Sequence, residues 1–253
     1  MGGAPLVTLL TDFGIRDTYV AEMKAAMLAV EPTIHFVDIT HEVTPGDVAG
    51  ARYFLERIWW RFPEKTVHLV VVDPGVGTER RAIAISHAGH GFVAPDNGVL
   101  GAVLDGADAV ELTIPEDASP TFHGRDVFAP AAARLAAGTP LTALGTPCVD
   151  VVRPVVSRVR HDDDVVIGHV LHVDQFGNLV TDLPVPDRTD IVLHVGGRDV
   201  TPIRRTFGDV AFGELVAYVG SAGTIEVAVR DGSAARMLGL GRGAEVRVMP
   251  REP

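Results

Sequence analysis

Several polar segments follow short apolar runs and carry side chains that could bind or activate a small molecule. Asp12 follows the first apolar run, within Thr-Asp-Phe-Gly, and Asp17 comes shortly after it. A carboxylate at such a position can accept hydrogen bonds from two sugar hydroxyls or from an ammonium group. The alternative is structural, with Asp12 capping a turn and Asp17 capping the helix that follows.

The next polar segment runs from Asp73 through Pro-Gly-Val-Gly-Thr-Glu to Arg80 and Arg81. It lacks the third glycine of a dinucleotide-binding fingerprint and the Gly-Lys-Ser/Thr of a P-loop. The turn would instead bring one carboxylate close to one or two guanidinium groups. Such a pair could activate a ligand or could be a structural ion pair over the turn.

Two further segments of the first part carry an amide and an imidazole. Asn97 lies in Ala-Pro-Asp-Asn-Gly, which is first of all a tight-turn sequence because Asn and Gly tolerate positive φ. His123 could bind a carboxylate, a water molecule or a metal ion, or could pack beside a helix capped by Asp126. Polar loops at strand ends are typical of the ligand-binding edge of an α/β sheet.

The second part of the chain offers loop residues of a different kind. In Asp-Gln-Phe-Gly-Asn, Phe176 could stack on a nucleobase and Asn178 could pair with its edge. A hairpin turn is the alternative for this segment and for the Gly-Ser-Ala-Gly segment that contains Ser221. The run 161–164, His-Asp-Asp-Asp, could bind a metal ion but is more typical of a solvated charge cluster.

The elements that would position these residues divide the chain in two. Residues 1–150 predict an α/β domain with a mostly parallel sheet and helices on both faces. Its strand-like runs are 6–10, 34–39, 66–72, 82–86 and 91–94. Its helix-like segments are 17–30, 47–62, 98–104 and 129–137. The continuous apolar run 66–72 predicts a strand that is covered on both faces.

Residues 151–164 read as a linker, and residues 165–253 predict a small β-barrel or sandwich domain. Short β-rich runs recur there with glycine turns between them and almost no helix. These runs are 165–173, 179–181, 191–195, 215–219, 224–229 and 245–248.

Composition narrows the function classes. The chain has 253 residues and a net charge of −11, which argues against non-specific binding to nucleic acid or to anionic membranes. Its single cysteine, Cys148, cannot form an internal disulfide. Without a signal-peptide pattern or an apolar run of membrane-spanning length, we expect a cytoplasmic protein.

Taken in order, the motifs resemble the S-adenosylmethionine (SAM) hydroxide adenosyltransferases, a superfamily that also includes SAM-dependent fluorinases and chlorinases. The resemblance spans nearly the whole chain. It is carried by TDFG (11–14), HEVTPGD (41–47), GARYFL (50–55), VVVDPGVGTERR (70–81), APDNG (94–98), FHGRDVFAP (122–130), DQFGN (174–178) and GSAGTIEVAV (220–229).

This resemblance implies a Rossmann-like N-terminal domain, a C-terminal β-barrel, and a homotrimer with active sites between subunits. It implies SAM as the substrate, adenosine and L-methionine as the products, and no cofactor. The residues that it assigns are Asp73, Arg80 and His123 for generating hydroxide, Asp12 for the ribose, Asp17 and Ser221 for the methionine end, and Phe176 and Asn178 for the adenine. Asn97 and Glu226 are further candidate substrate contacts.

The chemistry of the trio favours water over halide as the nucleophile. Neutral methionine leaves a sulfonium without help from an acid, so the difficulty lies in deprotonating water. Asp73 can accept that proton, a neutral His123 can accept it or orient the water, and Arg80 can stabilise the developing hydroxide. The halogenases have Tyr in place of Asp73 and lack Arg80.

Two departures concern the contacts to methionine. This chain has Gly46 where the halogenases have Trp, and Ala222 where they have Arg. Three alternatives stay open at this point: a SAM halogenase, a non-catalytic SAM- or adenosine-binding protein, and a metal-dependent hydrolase. The last is the weakest, because no clustered ligand spacing supports it.

Overall fold

The computed structural model describes residues 3–155, 159–186 and 190–251. The chain divides into two compact units, Met1–Pro154 and Val155–Pro253. The division falls inside the segment 151–164 that the sequence marks as a linker, of which residues 156–158 lie outside the described residues.

The first unit contains a seven-stranded sheet with helices on both faces. The strands are β1 (Leu6–Thr11), β2 (His35–Thr40), β3 (Val67–Val71), β4 (Ala82–His87), β5 (His90–Pro95), β6 (Asp108–Leu112) and β7 (Gly145–Pro147). Their order in the sheet is β2-β1-β3-β5-β4-β6-β7. The pairs β1/β2, β1/β3 and β3/β5 are parallel, and the other three pairs are antiparallel.

The sheet is therefore mixed, and the prediction of a mostly parallel sheet holds only for its first four strands in spatial order. The reason lies in the connection between β4 and β5. Only Ala88 and Gly89 separate these strands, and both have positive φ, at 47° and 80°. A two-residue turn of this kind joins antiparallel strands, whereas a parallel pair needs a crossover of a dozen or more residues.

Helices cover both faces of the two central strands. Leu9 and Leu69 pack in one core with the helices Tyr19–Val30 and Ala129–Ala136, while Leu10 and Val70 pack in a second core with the helix Val48–Ile58. The apolar run 66–72 is thus buried on both faces, as its composition predicts. The helices are α1 (Tyr19–Val30), α2 (Val48–Ile58) and α3 (Ala129–Ala136), with 3-10 turns at Trp59–Arg61, Gly101–Val103 and Leu141–Ala143.

Neither of the two candidate helix caps, Asp17 and Asp126, acts as a cap. Helix α1 begins at Tyr19, with Thr18 rather than Asp17 at the N-cap position, and the Thr18 hydroxyl donates to Glu22 instead of capping. Asp126 does not cap α3 either. It lies in a π-helical turn, Gly124–Phe128, that runs directly into α3, and its carboxylate accepts the Ser119 N–H at 2.9 Å.

The second unit is an antiparallel sheet of eight strands. The strands are β8 (Arg160–Asp162), β9 (Val165–Val173), β10 (Leu179–Pro184), β11 (Ile191–Val195), β12 (Arg198–Val200), β13 (Leu215–Val219), β14 (Thr224–Val229) and β15 (Glu245–Pro250). Their order in the sheet is β12-β11-β15-β9-β10-β14-β13, with β8 beside β9. The terminal strands β12 and β13 contact each other, so the sheet is almost a closed barrel.

The sequence analysis did not predict several small elements of this unit, because they are polar or short. Strand β8 occupies part of the expected linker, since Asp163, at a φ of 48°, turns the chain back into β9. A short helix, α4 (Ala234–Leu238), and a 3-10 turn, Phe207–Asp209, interrupt a domain expected to have almost no helix.

Candidate active site

The first unit brings Asp12 and Asp73 together at the carboxyl ends of two adjacent parallel strands. Thr11 of β1 pairs with Val71 of β3, and each aspartate follows its strand by one or two residues. The chain leaves β1 toward β2 on one side, while β3 lies on the other. Ligands bind in open α/β sheets at such a reversal of strand order.

The environment of Asp12 reflects this proximity. Burial raises the pKa of Asp12, the Gly46 N–H that donates to its Oδ2 at 2.7 Å opposes the rise, and the negative charge of Asp73 adds to it. The loop of Asp12 is held from the preceding strand as well. The Thr11 hydroxyl, which is fully buried, bonds to His41 Nδ1 at 2.8 Å. Local sequence offered no means of finding the pairing between Thr11 and His41.

Asp73 and Arg80 form a buried bidentate pair. Arg80 Nε lies 2.9 Å from both carboxylate oxygens, and its Nη2 also donates to Oδ2. The two side chains are only 6% and 9% exposed. Gly77 allows the intervening turn to close, because at its φ of 77° a Cβ would collide with the Pro120 carbonyl oxygen.

His123 completes a continuous cluster with this pair. Its Nδ1 lies 3.0 Å from Arg80 Nη2, and the ring packs at the start of the π-helical turn, 5% exposed. Burial and the positive charge of Arg80 lower the pKa of His123, which favours the neutral imidazole. Because a guanidinium can only donate, Nδ1 must accept, and the remaining proton of the neutral ring is on Nε2.

One donor of the cluster is left over. Arg80 Nη1 is buried and has no hydrogen-bond partner in the described parts of the chain. A buried donor without a partner is costly unless a ligand or water satisfies it. The cluster thus presents a carboxylate that can take a proton, a guanidinium donor, and an imidazole N–H.

The other predicted residues of this unit, Asn97 and Asp17, differ in whether their side chains are already hydrogen-bonded within the protein. Asn97 ties the loop after β5 to the end of β3, since its Nδ2 donates to the Val72 carbonyl at 2.9 Å and its Oδ1 accepts the Val99 N–H. Asp17 is exposed on the segment before α1. Beside that segment, the rings of Phe13, Tyr19 and Phe122 contact one another with centroids 5.3–6.0 Å apart, an aromatic cluster that the motifs did not predict.

The second unit contains a cleft of about 480 Å³ that includes Phe176 and Asn178. Phe176 is 67% exposed, so its ring is accessible to a stacking partner. The Asn178 side chain donates to Asp174 Oδ2 at 2.8 Å, which fixes the amide at the rim. The cleft is also lined by Phe207, Ala228, Val229, Asp231, Gly232 and Arg236.

Ser221 and Glu226 lie near each other along the same hairpin of the second unit. Ser221 is in the turn between β13 and β14, and Glu226 is in β14, where it accepts a hydrogen bond from the Tyr218 hydroxyl at 3.0 Å. A larger cavity of about 750 Å³ lies in the first unit beside β6 and β7, and no predicted site residue lines it.

Over the residues that the structure describes, no group of three His, Cys, Asp or Glu side chains is arranged to hold a metal ion. The aspartates of 161–164 belong to the exposed β8–β9 hairpin. No helix within the described ranges is both long and apolar enough to span a bilayer.

Comparison with known proteins assigns most of the chain to one family. Residues 7–145 match the SAM hydroxide adenosyltransferase N-terminal domain, and residues 168–247 match the SAM hydroxide adenosyltransferase C-terminal domain. Together they cover most of the chain. The chain therefore belongs to the SAM hydroxide adenosyltransferase family.

Individual relatives differ in similarity. The (R)-S-adenosyl-L-methionine hydrolase of Salinispora tropica is 43% identical over 98% of this chain and 99% of that protein. A fluorinase of Nocardia brasiliensis is 32% identical over 98% of this chain and 97% of its own length. An uncharacterized conserved protein from Thermotoga maritima has a crystal structure with a TM-score of 0.89 and 38% identity, covering 96% and 99% of the two chains.

Proposed function

We propose that this protein hydrolyses SAM to adenosine and L-methionine. A water oxygen forms a bond to the ribose C5′ carbon while the C5′–S bond breaks. The sulfur keeps the electron pair as the neutral thioether of methionine, and the water gives up one proton. The contact of Asp73 and His123 with the same guanidinium carries the proposal, and the name of the Salinispora tropica relative supports it.

Each member of the trio has a separate role in this reaction. Asp73 accepts the proton of water, since Arg80 stays protonated and His123 already uses its Nδ1 as an acceptor. Arg80 Nη1 donates to the oxygen as hydroxide character develops. His123 orients the same water through its Nε2–H. A general base in such a position contributes about 10²–10⁴ in rate.

The same geometry disfavours halide as the nucleophile. A halide entering beside Asp73 would approach a carboxylate of like charge within a largely buried cluster, where repulsion is stronger than in water. Because fluorinases are among the relatives, a SAM halogenase is the second candidate function. A non-catalytic SAM-binding protein would need no base beside a guanidinium.

The substrate contacts follow the family resemblance. Asp12 would hold the ribose hydroxyls, Asp17 and Ser221 the methionine end, and Phe176 and Asn178 the adenine. We further propose a Rossmann-like N-terminal domain, a cytoplasmic location and a homotrimer with active sites between subunits. The reaction requires no cofactor, since SAM supplies its own leaving group.

Product analysis tests the proposal. Purified protein is incubated with SAM, with and without chloride, and the nucleosides are separated by chromatography. We expect adenosine and methionine in both cases. A 5′-chloro-5′-deoxyadenosine peak that depends on chloride would establish the halogenase instead, and unchanged SAM after hours would favour the non-catalytic reading.

A further inference from the structure

One face of strand β14 connects the aromatic cleft to the turn that carries Ser221. Ile225, Val227 and Val229 point into the core of the second unit, so Thr224, Glu226 and Ala228 point to the opposite face. Ala228 lines the cleft that contains Phe176 and Asn178, whereas Thr224 adjoins the turn 220–223. Glu226 therefore lies midway between the two candidate ligand-binding features.

Glu226 is buried, and no cation among the described residues pairs with it. The residue is 8% exposed, and its described hydrogen bond comes from the neutral hydroxyl of Tyr218, directly across on β13. None of the ion pairs found within the described ranges includes it. A buried carboxylate is costly unless it is paired, so this arrangement is suited to a cation that arrives with a ligand.

The neighbouring residues hold the carboxylate in this position. Burial, the negative charge of Glu226 and the hydrogen bond to it raise the pKa of Tyr218, which keeps its hydroxyl protonated as a donor. A Cβ at Gly220 would overlap Glu226 Oε1, so the glycine leaves space for the carboxylate against the Ser221 turn. The carboxylate thus lies between the Tyr218 hydroxyl and Gly220, two residues along the strand from Ala228 in the cleft wall.

We propose that Glu226 binds the positive charge of a ligand whose aromatic end occupies the Phe176 cleft. Residues two apart on a strand are separated by about 7 Å, so the charge lies at a short distance from the cleft wall at Ala228. A nucleoside sulfonium has this chemistry, with a base at one end and a cationic sulfur beyond the ribose. The identity of the ligand as SAM rests on the proposed function.

This role separates substrate binding from the chemical step. The positive charge on sulfur disappears as the C5′–S bond breaks, so Glu226 stabilises bound SAM more than the transition state. It should lower KM without raising kcat. Adenosine and methionine lack the sulfonium, so Glu226 would favour the charged substrate over both products.

Binding measurements on the full chain test the role of Glu226. Each variant is combined with Asp73→Asn to prevent turnover, and calorimetry gives Kd for SAM and for adenosine. Glu226→Gln keeps the size of the side chain and an acceptor for Tyr218. We expect Kd for SAM to rise about tenfold or more, as for loss of a charged hydrogen bond, and Kd for adenosine to change less than twofold.

Two further variants make the result specific. Glu245→Gln removes one negative charge from an exposed position of the same unit and should change neither Kd. Gly220→Ala keeps the charge but displaces the carboxylate, so it should repeat the selective loss of SAM affinity. Melting temperatures show whether each variant is folded. If Glu226→Gln does not fold, the comparison of Gly220→Ala with the parent tests the proposal.

The outcomes separate the two proposals. Equal losses for SAM and adenosine, or no loss for either, would overturn the role of Glu226 even if the protein hydrolyses SAM. A selective loss of SAM affinity in a protein that never converts SAM would support Glu226 and overturn the hydrolase proposal. Failure of the parent protein to bind SAM would overturn both.

Discussion

Asp73 is the member of the trio that is free to take a proton from water. Arg80 remains protonated, and the only lone pair of a neutral His123 ring faces Arg80 Nη2 at 3.0 Å. The Asp73 carboxylate accepts from Arg80 at both oxygens and from the Gly75 N–H at Oδ1, and it is the remaining basic group of the trio. The sequence alone allows either Asp73 or His123 to be the general base, and this geometry favours Asp73.

Asp73→Asn should therefore abolish most turnover while leaving SAM binding nearly intact. We expect kcat to fall by about 10²–10⁴, the contribution of a general base, with Kd for SAM within about threefold of the parent. Steady-state kinetics and calorimetry measure the two quantities. Asp96→Asn is the matched control, because Asp96 also pairs with an arginine, Arg81, but has no histidine in its cluster. Parent-like turnover in Asp73→Asn would refute the assigned role.

The pH profile should report the state of His123. Burial and Arg80 lower its pKa below the ordinary value of 6.5, so the neutral ring persists through the neutral range. Protonation would place a second positive charge beside Arg80 and remove the acceptor at Nδ1. We expect kcat/KM to be independent of His123 above about pH 6.5 and to fall only at lower pH. An acid limb that has a midpoint above 6.5 and is lost in His123→Asn would contradict this.

At the scale of elements, the site depends on strand ends that composition predicts well. The continuous apolar run 66–72 indicates a buried strand, and Asp73 follows it directly. Hydrogen bonds between side chains far apart in the chain cannot be predicted from local sequence. Thr8 and Thr11 are both buried on β1, and each bonds to a histidine Nδ1 at 2.8 Å, from His68 and His41. A threonine in an apolar run carries no local sign of a partner 30 or 60 residues away.

The missed strands have a related cause. Strand β6 alternates over only a few residues, with Val110 and Leu112 buried and Glu111 exposed, and this short signal was missed. Strand β7 has three residues including Pro147 and shows no periodicity. They were also outside the motifs. Their absence from the prediction led to an overestimate of the parallel character of the sheet, since both join it through antiparallel pairs.

The buried His68 links the β1–β3 core to pH. It is 0% exposed, and burial together with the nearby His90 lowers its pKa to about 3. An unfolded histidine titrates near 6.5, so between these values the unfolded chain binds more protons than the folded one. Stability should fall as the pH drops through 6.5 toward 3, by up to about 1.4 kcal/mol per pH unit from this group.

Denaturant unfolding at pH 7.0 and pH 5.0 measures this effect. His68→Gln, which keeps a partner for Thr8, should lose less stability between the two pH values than the parent does. His161→Gln, at an exposed position of β8, serves as the control and should behave like the parent. An identical pH dependence in His68→Gln would show that His68 does not contribute.

For the whole molecule, charge and assembly are the relevant properties. Of the net charge of −11, −9 lies in residues 1–150, the part that holds Asp73 and its partners. Most of these side chains are surface residues, but a negative field favours a cationic substrate over an anionic one. The single cysteine, Cys148, lines the large cavity near β7 and has no part in the proposed chemistry.

The proposed homotrimer is directly measurable. Three chains of 26.9 kDa would sediment as a species of about 81 kDa. If the active sites lie between subunits, specific activity should fall upon dilution into the concentration range where the trimer dissociates. A monomer with full specific activity at every concentration would contradict this part of the proposal.

Oxygen-18 labelling shows directly whether water attacks the C5′ carbon of SAM. The protein is incubated with SAM in water enriched in oxygen-18, and the products are analysed by mass spectrometry. Attack of water at C5′ predicts one labelled oxygen in adenosine and none in methionine. Unlabelled adenosine, or methylthioadenosine together with labelled homoserine, would show that water does not attack C5′ and would refute the proposed reaction.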